Sequence, residues 1–175
     1  MGMAGKSLAK DGKALKAVSQ GNVNVKPAAV SNSTADNSKT FYTVQNSMEA
    51  KRLLGDGTPW PTDGDRANLG DGVYAWGNID DANRYLTIRQ GRISEPLSIL
   101  KFEVYDSDLV NMRKFDTRVL TDDELNDFFD KYARLHDGKP NHGFDYIIND
   151  TNLGVEHYFN KTIFEKLHFL GKEGV

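Results

Sequence analysis

The chain of 175 residues contains no cysteine and no hydrophobic run as long as a membrane-spanning helix. Without cysteine, disulfides and thiolate metal sites are excluded. Such a chain suits the cytosol, and it equally suits a protein that crosses a membrane unfolded. The first residues lack the apolar stretch of a secretory signal peptide. We therefore expect neither a cleaved signal of that kind nor insertion into a membrane.

Net charge is low, but the charges are unevenly distributed. The formal charge is −3, yet residues 1–40 contain six lysines and two aspartates. Basic arms that bind nucleic acid or membranes show such asymmetry. This segment has no aromatic residue, and its polar, small-residue composition cannot bury enough apolar surface to fold. The sequence predicts a flexible linker or leader over residues 1–40 and a folded domain over residues 41–175.

Residue patterns in the domain predict short strands and helices that do not alternate regularly. Aromatic and β-branched residues are typical of strands, and Asn78 and Thr121 are expected to begin helices as capping residues. Because crossover helices do not separate the strands regularly, the predicted class is α+β rather than a doubly wound sheet. The predicted strands are residues 41–45, 73–76, 97–105, 144–148, 155–159 and 166–170, and the predicted helical segments are residues 47–54, 79–90, 106–112 and 121–136.

Residues 72–85, GVYAWGNIDDANRY, are the most informative segment. They predict a short strand, a turn and a helix, with Tyr74 on the strand and Tyr85 eleven residues later on the helix. Two aromatic rings placed in this way can hold a flat ring between them. Just before this segment, residues 55–71 predict a long loop that contains Trp60 and Arg66, and loops of that length are often functional.

This segment resembles the central motif of the ADP-ribosyltransferase superfamily, especially the branch that includes the poly-ADP-ribose polymerases. There, two tyrosines with the spacing of Tyr74 and Tyr85 flank the nicotinamide of NAD. Residues 154–161, GVEHYFNK, resemble the strand that carries the catalytic glutamate, which places Glu156 in that role. Residues 143–148 resemble the strand before it, and residues 41–45 occupy the place of the first motif. The resemblance covers residues 41–170 in the correct order.

The resemblance implies an ADP-ribosyltransferase-like split two-sheet β core with flanking helices and an NAD cleft between the sheets. It implies that Glu156 stabilises the oxocarbenium-like transition state formed when the bond from ribose to nicotinamide breaks. NAD is the expected co-substrate, and no metal is expected. The residues expected to contact NAD are Tyr74, Tyr85, Gln45, Thr43, Tyr42, Trp76 and, through the diphosphate, Arg66.

Three positions depart from the family pattern. Thr43 stands where the first strand usually carries His or Arg, and Ala82 stands where the polymerase branch has a serine that binds the nicotinamide amide. Gly154 replaces the Glu or Gln that arginine-modifying members carry two residues before the catalytic glutamate. The class of the acceptor is therefore left open.

A leader of low sequence complexity followed by a compact C-terminal enzyme also resembles the arrangement in bacterial polymorphic toxins of the Rhs type. This implies a mono-ADP-ribosyltransferase that is exported by its producer and acts in the cytoplasm of a recipient cell. A macromolecular acceptor in that cell and a cognate immunity protein are the partners expected from the resemblance.

Two other functions fit the residues. His142 and His157 suggest a metal-independent nuclease using general acid–base chemistry, although strand alternation predicts that His157 faces away from Glu156. The domain is also acidic, so its sequence does not predict the basic surface that is typical of RNA-binding proteins. The third possibility is a non-catalytic binding module with an ADP-ribosyltransferase-like fold, which the missing first-strand His or Arg favours.

Overall fold

The computed structural model describes residues 36–55, 69–133 and 142–174. All of them belong to one compact unit, Ala35–Val175. The predicted leader up to residue 35 and the predicted contributions of Trp60 and Arg66 lie outside the described residues. The first strand begins at Ser38, three residues before the predicted start of the domain.

Strands and helices follow one another in an irregular order, as an α+β fold requires. The strands are β1 (Ser38–Asn46), β2 (Gly72–Trp76), β3 (Leu97–Tyr105), β4 (Lys114–Asp116), β5 (Tyr146–Thr151), β6 (Gly154–Asn160) and β7 (His168–Lys172). The α-helices are α1 (Ser47–Gly55), α2 (Ile79–Gln90), α3 (Asp106–Asn111) and α4 (Asp122–Phe128), with 3₁₀ segments at Thr117–Val119 and Lys161–Lys166 and a π-helical turn at Phe129–Ala133.

The seven strands of the described residues form one mixed sheet in the order β4-β5-β6-β2-β1-β3-β7. Only the edge pair β4–β5 is parallel, and the other pairs are antiparallel. The α+β class is thereby confirmed. No helix within the described residues is both long enough and apolar enough to cross a membrane.

The sheet is weakly joined at its centre. β1 and β3 are paired along their whole lengths, whereas β1 and β2 are paired only where Tyr42 lies opposite Trp76. Two separate sheets were expected, whereas the seven strands are hydrogen-bonded to one another in a single sheet. Its halves, β4-β5-β6-β2 and β1-β3-β7, are held together by a short pairing.

Strand alternation gives the sheet two chemically different faces. Glu156 and Tyr158 of β6 point to the face covered by α2 and α4, where they lie beside Trp76 and Tyr74 of β2. His157, together with Val155 and Phe159 of β6, points to the opposite face, which packs on α3 and the second 3₁₀ segment. We call these the Glu156 face and the His157 face.

Most of the predicted elements are confirmed, and their capping residues act as expected. The bounds of α2 and β3 match the prediction, and Asn78 Oδ1 accepts a hydrogen bond from the backbone N–H of Asp81 at 2.9 Å. Thr121 and Glu124 form the predicted capping box. The predicted helix is α-helical to Phe128 and continues as the π-helical turn to Ala133, while its predicted end at residue 136 lies outside the described residues. Strand β4 was not predicted.

Candidate active site

A cavity opens where β1 and β2 separate. It has a volume of about 70 Å³ and lies between these two strands, α1, α2 and β6. The described residues that line it are Val44, Gln45, Glu49, Leu53, Gly72, Val73, Tyr74, Trp76, Tyr85 and Glu156. Five of the eight predicted site residues are thus brought together, while Tyr42 and Thr43 are not among the lining residues and Arg66 is not described.

Glu156 lies on β6, an inner strand of its half of the sheet, opposite Trp76 of β2 on one side and Asn149 of β5 on the other. Burial among the aromatic rings of this face raises its pKa from the usual range to about 7, and a hydrogen bond from the Asn149 side chain opposes that rise. A carboxyl group poised in this way exchanges its proton near neutral pH, which general acid–base catalysis requires.

Asn149 is part of a buried chain of polar groups behind Glu156. Thr117 Oγ1 lies 3.0 Å from Asn149 Oδ1 and 3.1 Å from the carbonyl oxygen of Ile148. Both Asn149 and Thr117 are buried. With its carbonyl oxygen held by Thr117, the amide group of Asn149 is oriented to donate to the carboxylate of Glu156. This positioning pair was missed by the sequence analysis, because it depends on the register between β5 and β6.

Tyr74 contributes its ring to the cavity, but its hydroxyl group has a structural role. The hydroxyl donates to the carbonyl oxygen of Gly70 at 2.9 Å and accepts from the backbone N–H of Leu69 at 3.0 Å. The ring lies 5.1 Å from that of Tyr158, and burial raises the pKa of Tyr74 further above its usual value. Tyr74 therefore fixes the chain that leads into β2.

Trp76 and Tyr85 form the aromatic pair of the cavity. Their ring centroids are 5.4 Å apart at an angle of 46°, and Trp76 is buried. The sequence predicted a clamp between Tyr74 and Tyr85, whereas in the structure the ring that contacts Tyr85 is Trp76. Ala82, one turn earlier on α2, is fully buried in the same cluster and brings no polar group to the site.

The two polar side chains of β1 near the cavity, Thr43 and Gln45, differ in their exposure. Thr43 is fully buried, and its hydroxyl donates to the carbonyl oxygen of Tyr74 at 2.7 Å. It thus bridges β1 and β2 where their backbone pairing is interrupted, and its contact with NAD stays a prediction. Gln45 Nε2 donates to Thr43 Oγ1 at 2.8 Å, which leaves the Gln45 carbonyl oxygen to face the cavity. Tyr42 packs with Trp76 in the core beneath α2.

Glu49 is a second carboxylate on the cavity wall that sequence reasoning missed. It lies in the first turn of α1, where its Oε2 accepts from the backbone N–H of Asn46 at 3.4 Å. A carboxylate in the first helical turn is ordinarily a cap, so its spacing gave no sign of a binding role. No group of three or more His, Asp or Glu side chains in the described part of the chain is arranged to hold a metal ion.

Neighbouring atoms lie so close to two glycines of the motifs, Gly72 and Gly154, that a side chain would not fit there. A Cβ atom on Gly72 would lie 2.2 Å from the carbonyl oxygen of Phe159 on the neighbouring strand. Gly154 has a φ of +125°, and a Cβ atom there would lie 2.5 Å from a carboxylate oxygen of Asp81. The space that a Glu or Gln would need two residues before Glu156 is thus occupied by Asp81.

Comparison of the chain with models of protein families, with curated proteins and with solved structures finds no match. The function of the site therefore has to be inferred from its own residues.

The two histidines of the nuclease hypothesis are separated and engaged elsewhere. His142 is buried, with Nε2 2.6 Å from the carbonyl oxygen of Leu69 and Nδ1 accepting from the backbone N–H of Phe144. Burial lowers the pKa of His142. Because both ring nitrogens are bonded to the backbone, His142 has no free site for proton transfer. His157 points to the opposite face from Glu156, as alternation predicts.

Proposed function

We propose that this domain is an NAD-dependent mono-ADP-ribosyltransferase. The observation that carries the proposal is the cavity between β1 and β2, in which Glu156 and three aromatic rings face one space. The resemblance to the superfamily places the NAD cleft between the two halves of the core, and the weak β1–β2 junction is a gap of that kind. In this proposal NAD is a co-substrate, and no metal takes part.

Each residue of the cavity has a chemical role that follows from its contacts. The rings of Tyr74, Trp76 and Tyr85 offer faces for a flat nicotinamide. The free carbonyl oxygen of Gln45 is an acceptor for the carboxamide N–H groups of that ring. The negative charge on this wall, from Glu49 as well as Glu156, favours a cationic ligand such as oxidised nicotinamide.

In the reaction, the bond between ribose C1′ and the nicotinamide nitrogen breaks, and its electron pair leaves with nicotinamide. The positive charge that develops on the ribose is stabilised by the carboxylate of Glu156. An electron pair of the acceptor then forms the new bond to C1′, and the acceptor proton passes to Glu156 or to water.

The raised pKa of Glu156 predicts how the reaction depends on pH. Burial raises the pKa of Glu156 to about 7, so its carboxyl group gains and loses its proton near neutral pH. If the carboxylate is the active form, kcat/KM should rise with pH through about 7 and reach a plateau above it. A bound cation lowers the pKa, so the rise in kcat should occur at lower pH.

The toxin context is part of the proposal. We propose an antibacterial effector that is exported by its producer and transfers ADP-ribose to a macromolecule in the recipient-cell cytoplasm. A cognate immunity protein would protect the producer, and blocking the cavity between β1 and β2 is the simplest way to do so.

The direct test is nicotinamide release from NAD by the purified protein, alone and with bacterial lysate. Glu156→Gln preserves shape and should abolish release, whereas the exposed Glu165→Gln serves as the matched control and should release nicotinamide like the wild type. Dependence on lysate would show that an acceptor is needed. No release by a folded wild-type protein under either condition would reject the transferase, and NAD binding without release would favour a binding module.

A further inference from the structure

The His157 face of the sheet carries a second cavity, remote from the chemistry proposed above. It has a volume of about 580 Å³. Its walls come from β1, β4, the first 3₁₀ segment, β5 and β6, together with Gly77 after β2 and Leu109 of α3. Because neighbouring residues of a strand point to opposite faces, Glu156 and His157 serve separate cavities.

Basic side chains from three different elements meet in this cavity. Lys39 lies on β1, Lys114 on β4 and Arg118 on the first 3₁₀ segment. Neither lysine has an ion-pair partner among the described residues, while the ammonium group of Lys114 lies 5.7 Å from the centre of the Tyr146 ring. The guanidinium group of Arg118 donates two hydrogen bonds to the carboxylate oxygens of Asp116, at 2.7 and 2.8 Å. The described lining residues include three cationic side chains and no carboxylate, so even with Asp116 bonded to Arg118 the cavity carries an excess of positive charge.

His157 adds a neutral hydrogen-bond donor to these charges. Its Nδ1 lies 2.7 Å from the hydroxyl oxygen of Tyr146. Burial and, after it, the charges of Arg118 and Lys114 lower the pKa of His157 to about 4, so the ring is neutral at physiological pH. When the Tyr146 hydroxyl donates to Nδ1, the ring proton resides on Nε2.

Gly77 leaves that second nitrogen open. A Cβ atom at position 77 would lie 3.0 Å from His157 Nε2, and Gly77 itself is exposed on the cavity wall. In the described part of the chain, Nε2 has no hydrogen-bond partner. The absence of a side chain at this position thus exposes an N–H donor to the space that the lysines surround.

We propose that the cavity on the His157 face binds a phosphate group, either as free diphosphate or carried by a nucleotide. Two unpaired lysines supply charge to an anion, and the Nε2–H of His157 supplies a directed hydrogen bond. A carboxylate brings only one charge and two oxygens, whereas a diphosphate can use all of these groups together. This inference does not depend on the transferase proposal.

The test is binding of inorganic pyrophosphate and of ADP to the full chain at low salt, measured by calorimetry and by the NMR signals of His157. Lys114→Ala should weaken binding about tenfold, as expected for loss of one charge-assisted contact. Lys51→Ala removes an exposed lysine of α1 outside this cavity and should bind like the wild type. Both substitutions change the net charge equally, so a general charge effect cancels.

A variant without any charge change makes the test specific to the site. Gly77→Ala should weaken binding because its methyl group covers His157 Nε2, and thermal melting checks that the variant is folded. Since ADP is also part of NAD, ADP binding counts only if it shifts the His157 signals and is weakened by Lys114→Ala. Equal affinities for pyrophosphate and ADP would identify phosphate as the whole ligand, and tighter ADP binding would identify a nucleotide. Absence of pyrophosphate binding, or equal weakening by Lys51→Ala, would overturn the proposal.

Discussion

At the scale of single residues, Glu156 is held where its charge is unfavourable. Burial raises its pKa from 4.5 to about 7, so the folded state binds the proton more tightly than the unfolded state. The carboxyl group of Glu156 therefore does not lower the free energy of unfolding below about pH 4.5, and it lowers that free energy by the full amount above pH 7. The wild type is therefore destabilised as pH rises through this window.

Glu156→Gln should remove this pH dependence. The variant should match the wild type in free energy of unfolding near pH 4.5 and exceed it at pH 8, by at most about 3 kcal/mol because Glu156 is only partly buried. Urea unfolding of both proteins at the two pH values measures the difference. A gap that is the same at both pH values would show that Glu156 is not destabilised by its charge.

Asn149 should act through Glu156 rather than on a substrate. Its hydrogen bond favours the carboxylate, so Asn149→Ala should raise the pKa of Glu156 further and shift the acid limb of the kcat/KM profile to higher pH. Thr117→Val should give a smaller shift in the same direction, because it frees the Asn149 amide without removing it. The carbon NMR signal of the Glu156 carboxyl group reports the pKa directly. A lower kcat with an unshifted pKa would mean that Asn149 has only a structural role.

At the scale of elements, the start of β2 depends on the absence of a side chain. A Cβ atom on Gly72 would meet the backbone of β6, which cannot move without breaking the ladder between the two strands. Gly72→Ala should therefore destabilise the protein by about 3 kcal/mol or more. Gly55→Ala, where no atom lies within 4 Å, is the control and should change stability little. Thermal melting of the two variants measures the contrast, and similar melting points would refute the packing argument.

A helix or strand could be predicted from the sequence when residues close to it along the chain stabilise it. Helix α2 carries its own capping residues, Asn78 and Asp81, and β3 has apolar residues that largely alternate with polar ones, so both could be read from the sequence. Strand β4 has three residues, and only its parallel pairing with β5 makes it a strand. The π-helical turn after α4 likewise has no local signal.

At the scale of the whole molecule, the site combines residues that alternation predicts with residues that only the sheet order defines. Glu156, Trp76 and Tyr85 were found because their motifs keep a fixed spacing along the chain. Thr43 and Gln45 lie on one face of β1, as strand alternation requires, but the burial of Thr43 depends on how β1 approaches β2. Asn149 joined the site only through the pairing of β5 with β6, a relation for which the sequence contains no spacing rule.

The boundary of the domain provides a prediction about the whole chain. Ser38, Lys39 and Thr40 are paired with β3, and the carbonyl oxygen of Asn37 accepts from the backbone N–H of Asp106 at 2.8 Å. Asp36 is hydrogen-bonded to the hydroxyl group of Ser107. These contacts place the start of the domain before residue 41.

A chain that begins at residue 36 should therefore fold and bind ligands like the full chain, whereas a chain that begins at residue 41 should unfold at lower temperature. The second truncation leaves the backbone groups at the end of β3 without a partner on β1, which costs roughly 1 kcal/mol for each lost hydrogen bond. Thermal melting and hydrogen exchange of the amides of Val104 and Asp106, which lie opposite Lys39 and Asn37, distinguish the two chains. Equal stability would show that the first residues of β1 contribute nothing, and the predicted boundary at residue 41 would then stand.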